Sequence, residues 1–460
     1  MTQPEPATSG IHSPDTQVGS VFVSNYPPYS AWTPQAVPQV LAALARTPAT
    51  PAGAADAAPP LGLYLHIPFC RKRCKFCYFR VYVDKNADEV GRYTAALARE
   101  VELYAAQPAL AGRRPRFVYF GGGTPSFLSV RHLEELMARV KAALPWDEVE
   151  EVTFECEPGT LTRSKLEAIR GTGVTRLSLG IESFANDVLR ENGRAHLSKE
   201  IYRVMPWIRD LDFPQLNVDL IAGMVGESWE SWRETVAKTV DLAPDSVTVY
   251  QMELPFNARF SRELLAGTLA RPVADWETKR AWHDYAFERL AAAGYRPSSA
   301  YTMVCPAAGG GGQEGVRFVY RDALWRGADL LGTGVASFSH LSGLHFQNTA
   351  GWLPYLQGVE AGRLPLDRAF ATSPEERLTR EMILQLKLGR LDAAPFRAKF
   401  GVDVLDRFAA AFARLAAEGM LAVRRGPGGG RVELTRRGLL QVDSLLPEFY
   451  ADRYRGARYT

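Results

Sequence analysis

The chain has 460 residues, 46% of them hydrophobic, and a formal net charge of +3. It is too long for one small domain and apolar enough to bury a substantial core. So weak a charge offers no field for nucleic acid or an anionic membrane surface, and no apolar run reaches the roughly 18 residues of a spanning helix. The opening residues lack a basic-then-apolar leader pattern, so the expected location is the cytoplasm.

Residues 1–20 are polar and expected to be disordered. SNYPPYSAW (24–32) reads as an arm packed on the body, Val37 to Leu44 as a short helix, and TPATPAGAADAAPP (47–60) as a linker. From residue 61 apolar strands alternate with helical periods. LGLYLHI precedes a helix near 88–106, FVYF one at 129–143, and EVTFEC one at 161–170. RLSLGI precedes helical segments between 184 and 211, QLNVDLIAG a helix at 228–242, and SVTVYQME, after a loop, one at 273–293. Six β-then-α units with short β-branched strands predict an α/β fold, a partial (β/α)6 barrel rather than a doubly wound sheet.

The region 295–345 is less regular, with GGGGQEG (309–315) as a flexible loop and DLLGTGVASFSHL (329–341) as a strand and tight turn. Ser373-Pro374 marks a helix start, with Leu378, Met382, Leu384 and Leu386 on that helix. Helices at 393–400 and 404–418 follow, then a hairpin with a glycine turn. This predicts a C-terminal winged-helix-like α+β domain. Arg424, Arg425, Arg431, Arg436 and Arg437 flank the wing; with so weak a net charge, a packing or lid module is preferred to a DNA reader. The expected division is 1–60 arm and linker, 61–295 barrel, 296–372 extension and substrate-side loops, and 373–460 C-terminal domain.

Three of the five cysteines, Cys70, Cys74 and Cys77, stand in a C-x3-C-x2-C loop directly after the first strand. Zinc takes four ligands, usually in C-x2-C pairs, and no matching pair exists; three thiolates favour a [4Fe–4S] cluster with one iron open. Arg71, Lys72, Arg73, Lys75 and Arg80 surround them, and cationic neighbours are expected to lower thiol pKa. Barrels place chemistry at the C-terminal ends of their strands. There this chain carries His66, the run Gly121 to Gly123 with Thr124, Glu155 and Glu157, Glu182, Asn217 and Asp219, and Tyr250, Gln251 and Glu253. The glycines admit a ligand close to backbone. Each acid alone could be a structural ion pair with Arg176 or Arg194. Glu155, Glu182 and Asp219 together read as partners for ribose hydroxyls and an ammonium group. His196, His340 and His345 are expected to be structural. His66, on the same strand face as Tyr64, makes with it the candidate catalytic pair.

YLHIPFCRKRCKFC, YFGGGTPS, TFECEPGT, GVTRLSLGIESF, ENGRAH and NVDLIAGM together resemble the radical S-adenosylmethionine (SAM) superfamily. Within it the chain is most similar to oxygen-independent coproporphyrinogen III oxidases and their heme-chaperone and class C methylase cousins. The resemblance implies a cluster on Cys70, Cys74 and Cys77 whose open iron chelates SAM. Reductive cleavage would then yield a 5′-deoxyadenosyl radical that abstracts a substrate hydrogen. Gly122, Glu155, Glu182, Arg194 and Asp219 match SAM-binding positions, supported by Tyr64 and the backbone near Phe76. Gly123, Thr124, Gln251 and Phe338 match positions that hold a second SAM in the oxidases.

The implied substrate is a small molecule such as a tetrapyrrole, with an external one-electron donor such as flavodoxin or ferredoxin. No nucleic acid or membrane partner and a monomeric state are expected. Phe79 stands where the oxidases carry a further cysteine, which weakens decarboxylation. Glu182 replaces the glutamine usual in relatives. Of the chaperones' His-Asn-x-x-Tyr-Trp heme motif, Tyr320 to Trp325 keeps only Trp325. A two-SAM methylase or cyclopropanase, a heme-modifying enzyme and a heme-trafficking chaperone are the alternatives.

Overall fold

The computed structural model describes residues 18–19, 22–47, 58–306, 315–426 and 429–457. The expected disordered start, most of the 47–60 linker and the glycine loop near 309–315 lie outside the described residues. Six parallel strands follow one another in space in chain order: β1 (Leu61–Ile67), β2 (Pro115–Gly122), β3 (Glu151–Cys156), β4 (Arg176–Glu182), β5 (Gln215–Ala222) and β6 (Ser246–Gln251). This is the mostly parallel α/β arc of a partial barrel. In β1 the residues Leu63, Leu65 and Ile67 are fully buried while Tyr64 and His66 alternate to the other face. Burial of each aliphatic side chain contributes about 1.5–3 kcal/mol. The helices that return the chain are Ala87–Ala105, Val130–Ala143, Arg163–Gly171, Ser198–Asp210, Trp229–Asp241 and Trp276–Ala292. The first is closed by a capping box, in which Asn86 accepts from the Glu89 amide and Glu89 accepts from the Asn86 amide.

The arc continues beyond both ends. Past β6 lie β7 (Arg296–Pro297) and β8 (Thr302–Val304), with β8 antiparallel to β6. Beyond β1 lie β9 (Asp329–Thr333), parallel to it, then the antiparallel β10 (Phe338–Leu341), β11 (Leu344–Asn348) and β12 (Leu366–Ala371). One 12-stranded sheet results. The apparently irregular region 295–345 is thus two sheet edges. Alternation fails there because single strands are short and separated by tight turns.

The C-terminal domain packs the helices Pro374–Leu386, Ala394–Phe400, Val404–Arg407 and Ala409–Ala417 on a small sheet. That sheet orders β13 (Arg390–Asp392), β15 (Gly429–Leu434) and β14 (Leu421–Gly426). The first helix carries the Ser373–Glu376 capping box. Four of the five wing arginines are engaged by acids: Arg424 with Glu433, Arg425 with Asp406, Arg431 with Asp392 and Arg436 with Asp284. The N-terminal arm ties the domains together. Val23 and Tyr26 are buried in the C-terminal core, and Thr33 bridges to Ala369 on β12. No helix among the described residues is long and apolar enough to cross a membrane.

Candidate active site

A cavity of about 470 Å³ opens at the C-terminal ends of β1 to β6, within the size range of small-molecule sites. Cys70, Cys74, Cys77, Phe76, Gly122, Gly123, Thr124, Glu155, Glu182, Arg194, Asp219 and Gln251 all line it. Side chains dispersed over 180 residues of sequence therefore share one wall.

The three thiols belong to a loop that the chain pins at both ends. The Cys70 amide donates to the Tyr82 carbonyl and the Lys75 amide to the Asn192 carbonyl. Thr124 Oγ1 donates to Cys70 Sγ at 3.3 Å, and Arg194 Nη1 to Cys74 Sγ at 3.4 Å. Among the described residues no three His, Cys, Asp or Glu side chains converge on one metal-ion position. All three cysteines line the cavity. The expected lowering of thiol pKa by the basic loop is corrected. Burial pushes Cys70 up to about 11 and Cys77 up to about 12, outweighing the nearby Arg194 and Arg73. Of the loop's other cations, Lys75 is paired with Glu191 and Arg71 donates to the Gly159 carbonyl. Such thiols ionise when a metal centre replaces their protons.

Below the loop, Gly122 has φ +112°, and a Cβ there would meet the His66 ring at 2.5 Å. A Cβ on Gly123 would stand 2.9 Å from the carbonyl oxygens of Ile67 and Phe69. Only glycine fits either position, and the bare backbone forms the cavity floor.

Opposite stand three acids. Glu155 accepts from Tyr119 Oη at 2.7 Å and the Gly122 amide at 3.2 Å. Asp219 accepts from Ser178 Oγ at 2.8 Å and Asn217 Nδ2 at 2.9 Å. Glu182 lies 3.6 Å from Arg194 Nη2. Burial, with repulsion from the neighbouring carboxylates, pushes Glu155 and Glu182 up to about 7, and burial raises Asp219 as well. Among the described residues Arg194 is the one cation in ion-pair contact with the group, so carboxylates are in surplus and suit a cationic ligand. Glu182 takes φ +65° at a register shift in β4, a conformation L-residues rarely adopt and one that clusters at functional sites.

Two expectations on placement are corrected. Tyr64 and His66 do not line the cavity. Tyr64 Oη meets His66 Nδ1 at 3.1 Å, and the His66 ring fills the space beneath Gly122. Burial holds the His66 imidazole down at about 4, a supporting rather than a reacting group. Phe338 is also absent from the cavity. The turn after β9 carries it to the start of β10, where it packs edge-on against Tyr29 and Trp32. Asn217 is fully buried and serves as a hydrogen-bond partner of Asp219 and Ser178. His196 is structural, as expected, bridging Glu157 and the Ile181 carbonyl. So is the His340–His345 pair, whose Nδ1 atoms are 3.1 Å apart.

Several lining residues had not been singled out for the site, Tyr78 among them. It stacks at 4.5 Å on Phe79, already marked by its departure from the oxidases, as an exposed aromatic plate. Trp276, Arg280 and His283 come from one helix, and 439–444 from the segment after the wing. The i, i+4, i+7 spacing of Trp276, Arg280 and His283 was the available signal.

The comparisons agree with this geometry. Residues 64–238 match the Radical SAM superfamily model, and residues 372–440 the HemN C-terminal domain. The oxygen-independent coproporphyrinogen III oxidase of Synechocystis is 28% identical over 410 residues, covering 85% of this chain and 84% of its own. The Escherichia coli enzyme of that name is 28% identical over 403 residues, 84% of each chain. The heme chaperone HemW of Lactococcus lactis is 26% identical over 71% of this chain and 82% of its own. The solved structure of coproporphyrinogen III oxidase (HemN) from Escherichia coli superposes with TM-score 0.78 at 25% identity, covering 93% of this chain and 96% of that one. Through its barrel the chain is similar to the radical SAM superfamily. Across most of its length it is similar to coproporphyrinogen III oxidases, with heme chaperones among its relatives. That likeness implies a [4Fe–4S] cluster and SAM. Three thiols lining the cavity, a bare glycine floor and an excess of carboxylates are the donor set such a pair requires.

Proposed function

We propose that the protein is a radical SAM enzyme of the coproporphyrinogen III oxidase type acting on a tetrapyrrole or a related substrate. The observation that carries this reading is Arg194, which contacts a thiol of the cysteine loop through one nitrogen and approaches the acid group through the other. When bound, the reduced cluster supplies the electron that cleaves SAM, and the adenosyl radical so formed abstracts a substrate hydrogen. Cys70, Cys74 and Cys77 hold the cluster. The Gly122 and Gly123 backbone seats the amino-acid end of SAM, with Phe76 beside it. Glu155, Glu182 and Asp219 balance its positive charge and accept its hydroxyl and ammonium protons. Tyr64 and His66 stiffen the floor from below. A second SAM would meet Gly123, Thr124 and Gln251, without Phe338. The apolar plate of Tyr78 and Phe79 keeps water from the mouth and suits a flat macrocycle.

Phe79 favours a second reading, a methylase, cyclopropanase or heme-modifying enzyme, because a thiol is missing where decarboxylating relatives have one. The chaperone reading is disfavoured. Tyr320 packs on Tyr119 at 4.4 Å and Arg321 bonds to Ser298, so the heme-motif stretch is occupied by internal contacts.

The test is anaerobic incubation of reconstituted protein with SAM, dithionite and candidate porphyrins, read by mass spectrometry. 5′-Deoxyadenosine with a decarboxylated, methylated or ring-modified product is expected. A protein holding about four irons, the [4Fe–4S] complement, that never cleaves SAM would overturn the proposal.

A further inference from the structure

The side of the cavity behind β6 carries an arrangement of which the SAM reading uses only Gln251. Gln251 Nε2 donates to the Leu440 carbonyl at 2.8 Å. The same nitrogen lies 2.9 Å from His283 Nδ1. A carbonyl only accepts, so the nitrogen is an amide NH2 and its second hydrogen goes to Nδ1. The ring proton is therefore on Nε2. His283 is 1% exposed and lines the cavity, and its Nε2 is buried with no partner among the described residues. An orphaned buried donor costs about 1–3 kcal/mol, which a ligand acceptor would recover.

One turn earlier, Arg280 lines the same cavity and an adjoining pocket shared with Arg436 and Arg437. Its Nε is buried with no hydrogen-bond partner among the described residues, and its guanidinium lies 5.8 Å from the centre of the Trp276 ring. The acids nearby are accounted for. Asp284 is held by Arg436, and Asp443 by Lys387 at 2.8 Å and by Tyr301. Glu253 accepts from the Phe22 amide at 2.7 Å, and Glu277 stands on the outer pocket. Arg437 is the wing arginine without an acid partner.

We propose that Arg280 and His283 form a carboxylate-binding subsite on the β6 side of the cavity, held in place by Gln251 and the Leu440 carbonyl, with Arg437 next to Arg280 in the adjoining pocket. An imidazole N–H and a guanidinium group match an acid group in charge and in donor count. The carboxylate can come from the substrate or from a further SAM. The subsite deepens the function proposed above and rests on it only for the ligand's identity.

The test is anaerobic titration of the full-length reconstituted protein with coproporphyrin III, its tetramethyl ester and SAM. Porphyrin binding is read by the Soret shift and SAM by equilibrium dialysis. Wild type should bind the free acid about tenfold more tightly than the ester, as one charge-assisted contact allows. Arg280→Gln and His283→Phe should abolish that preference, and Arg280→Lys should retain part of it. A loss confined to SAM binding would uphold the subsite and assign its carboxylate to the cofactor. Equal binding of acid and ester by wild type, with SAM affinity unmoved by Arg280→Gln, would overturn it. Should Arg280→Gln misfold, His283→Phe supplies the same SAM comparison. Failure of wild type to release 5′-deoxyadenosine would sink the proposed function while leaving these titrations readable.

Discussion

The two sides of the cavity are built differently. The wall over β1 to β5 is written in compact motifs: a cysteine loop, a glycine run and one acid near each of three strand ends. The wall behind β6 comes from the helix Trp276–Ala292, from Gln251 and from residues 439–444 of the C-terminal domain. The first wall is rich in thiols and carboxylates, the second in unpaired cationic and N–H donors. A site whose walls carry opposite polarity can hold a cationic sulfonium on one side and an acid on the other. The difference also separates the chemistry common to the superfamily from what sets the substrate.

The largest expected effect comes from removing a thiol. Cys74→Ala should lose iron and the absorption near 400 nm, and SAM cleavage should fall at least about a hundredfold, because no binding interaction replaces the chemistry the cofactor brings. Iron analysis and chromatography of 5′-deoxyadenosine check this. A cleaving Cys74→Ala protein would break the assignment of the first wall.

The acid group gives a second prediction through pH. In the cluster-free protein Glu155 has a folded-state pKa of about 7, above its ordinary value near 4.5, chiefly through burial. The neutral form is therefore favoured on folding. The contribution to stability is intact below about pH 4.5 and is lost as pH rises through 7. Glu155→Gln should accordingly raise the melting temperature at pH 8, by an amount corresponding to about 1–3 kcal/mol, and do little at pH 5. The same variant should weaken SAM binding about tenfold at pH 8, the loss of one charge-assisted contact. Unchanged melting at both pH values would show that the carboxylate is not desolvated.

Gly122→Ala tests the floor. A methyl group there meets His66 and demands an L-residue at φ +112°. A loss of about 1–3 kcal/mol of stability is expected, measured by denaturant titration. The smallest effect belongs to a position remote from both walls. Ser373→Ala removes the N-cap of the helix Pro374–Leu386 and should cost about 1 kcal/mol with SAM cleavage unchanged.

Much of the first wall was legible because its residues lie next to one another in sequence or at the ends of strands that local patterning reveals. β3 and the helix Val37–Leu44 match their expected bounds, since short buried runs and capping signals are local. The edge strands β10 to β12 were not visible, because their partners stand far away in sequence and their hydrophobic alternation is brief. Phe338 was misplaced for a related reason. Its motif context located it near a strand end, but the tight turn after β9 and the aromatic arm decide where its ring goes. The thiol pKa values were misjudged because charge is read from composition, whereas desolvation depends on depth.

By itself the sequence determined the β/α succession, the cysteine loop and the acids at the strand ends, since spacing along a strand or loop dictates which groups share an end. Only the tertiary structure decided that His66 lies beneath the glycine floor and that Arg280 Nε and His283 Nε2, on residues lining the cavity, have no partner among the described residues. Those outcomes depend on which distant segments supply or withhold a hydrogen bond, and no local pattern encodes a missing neighbour.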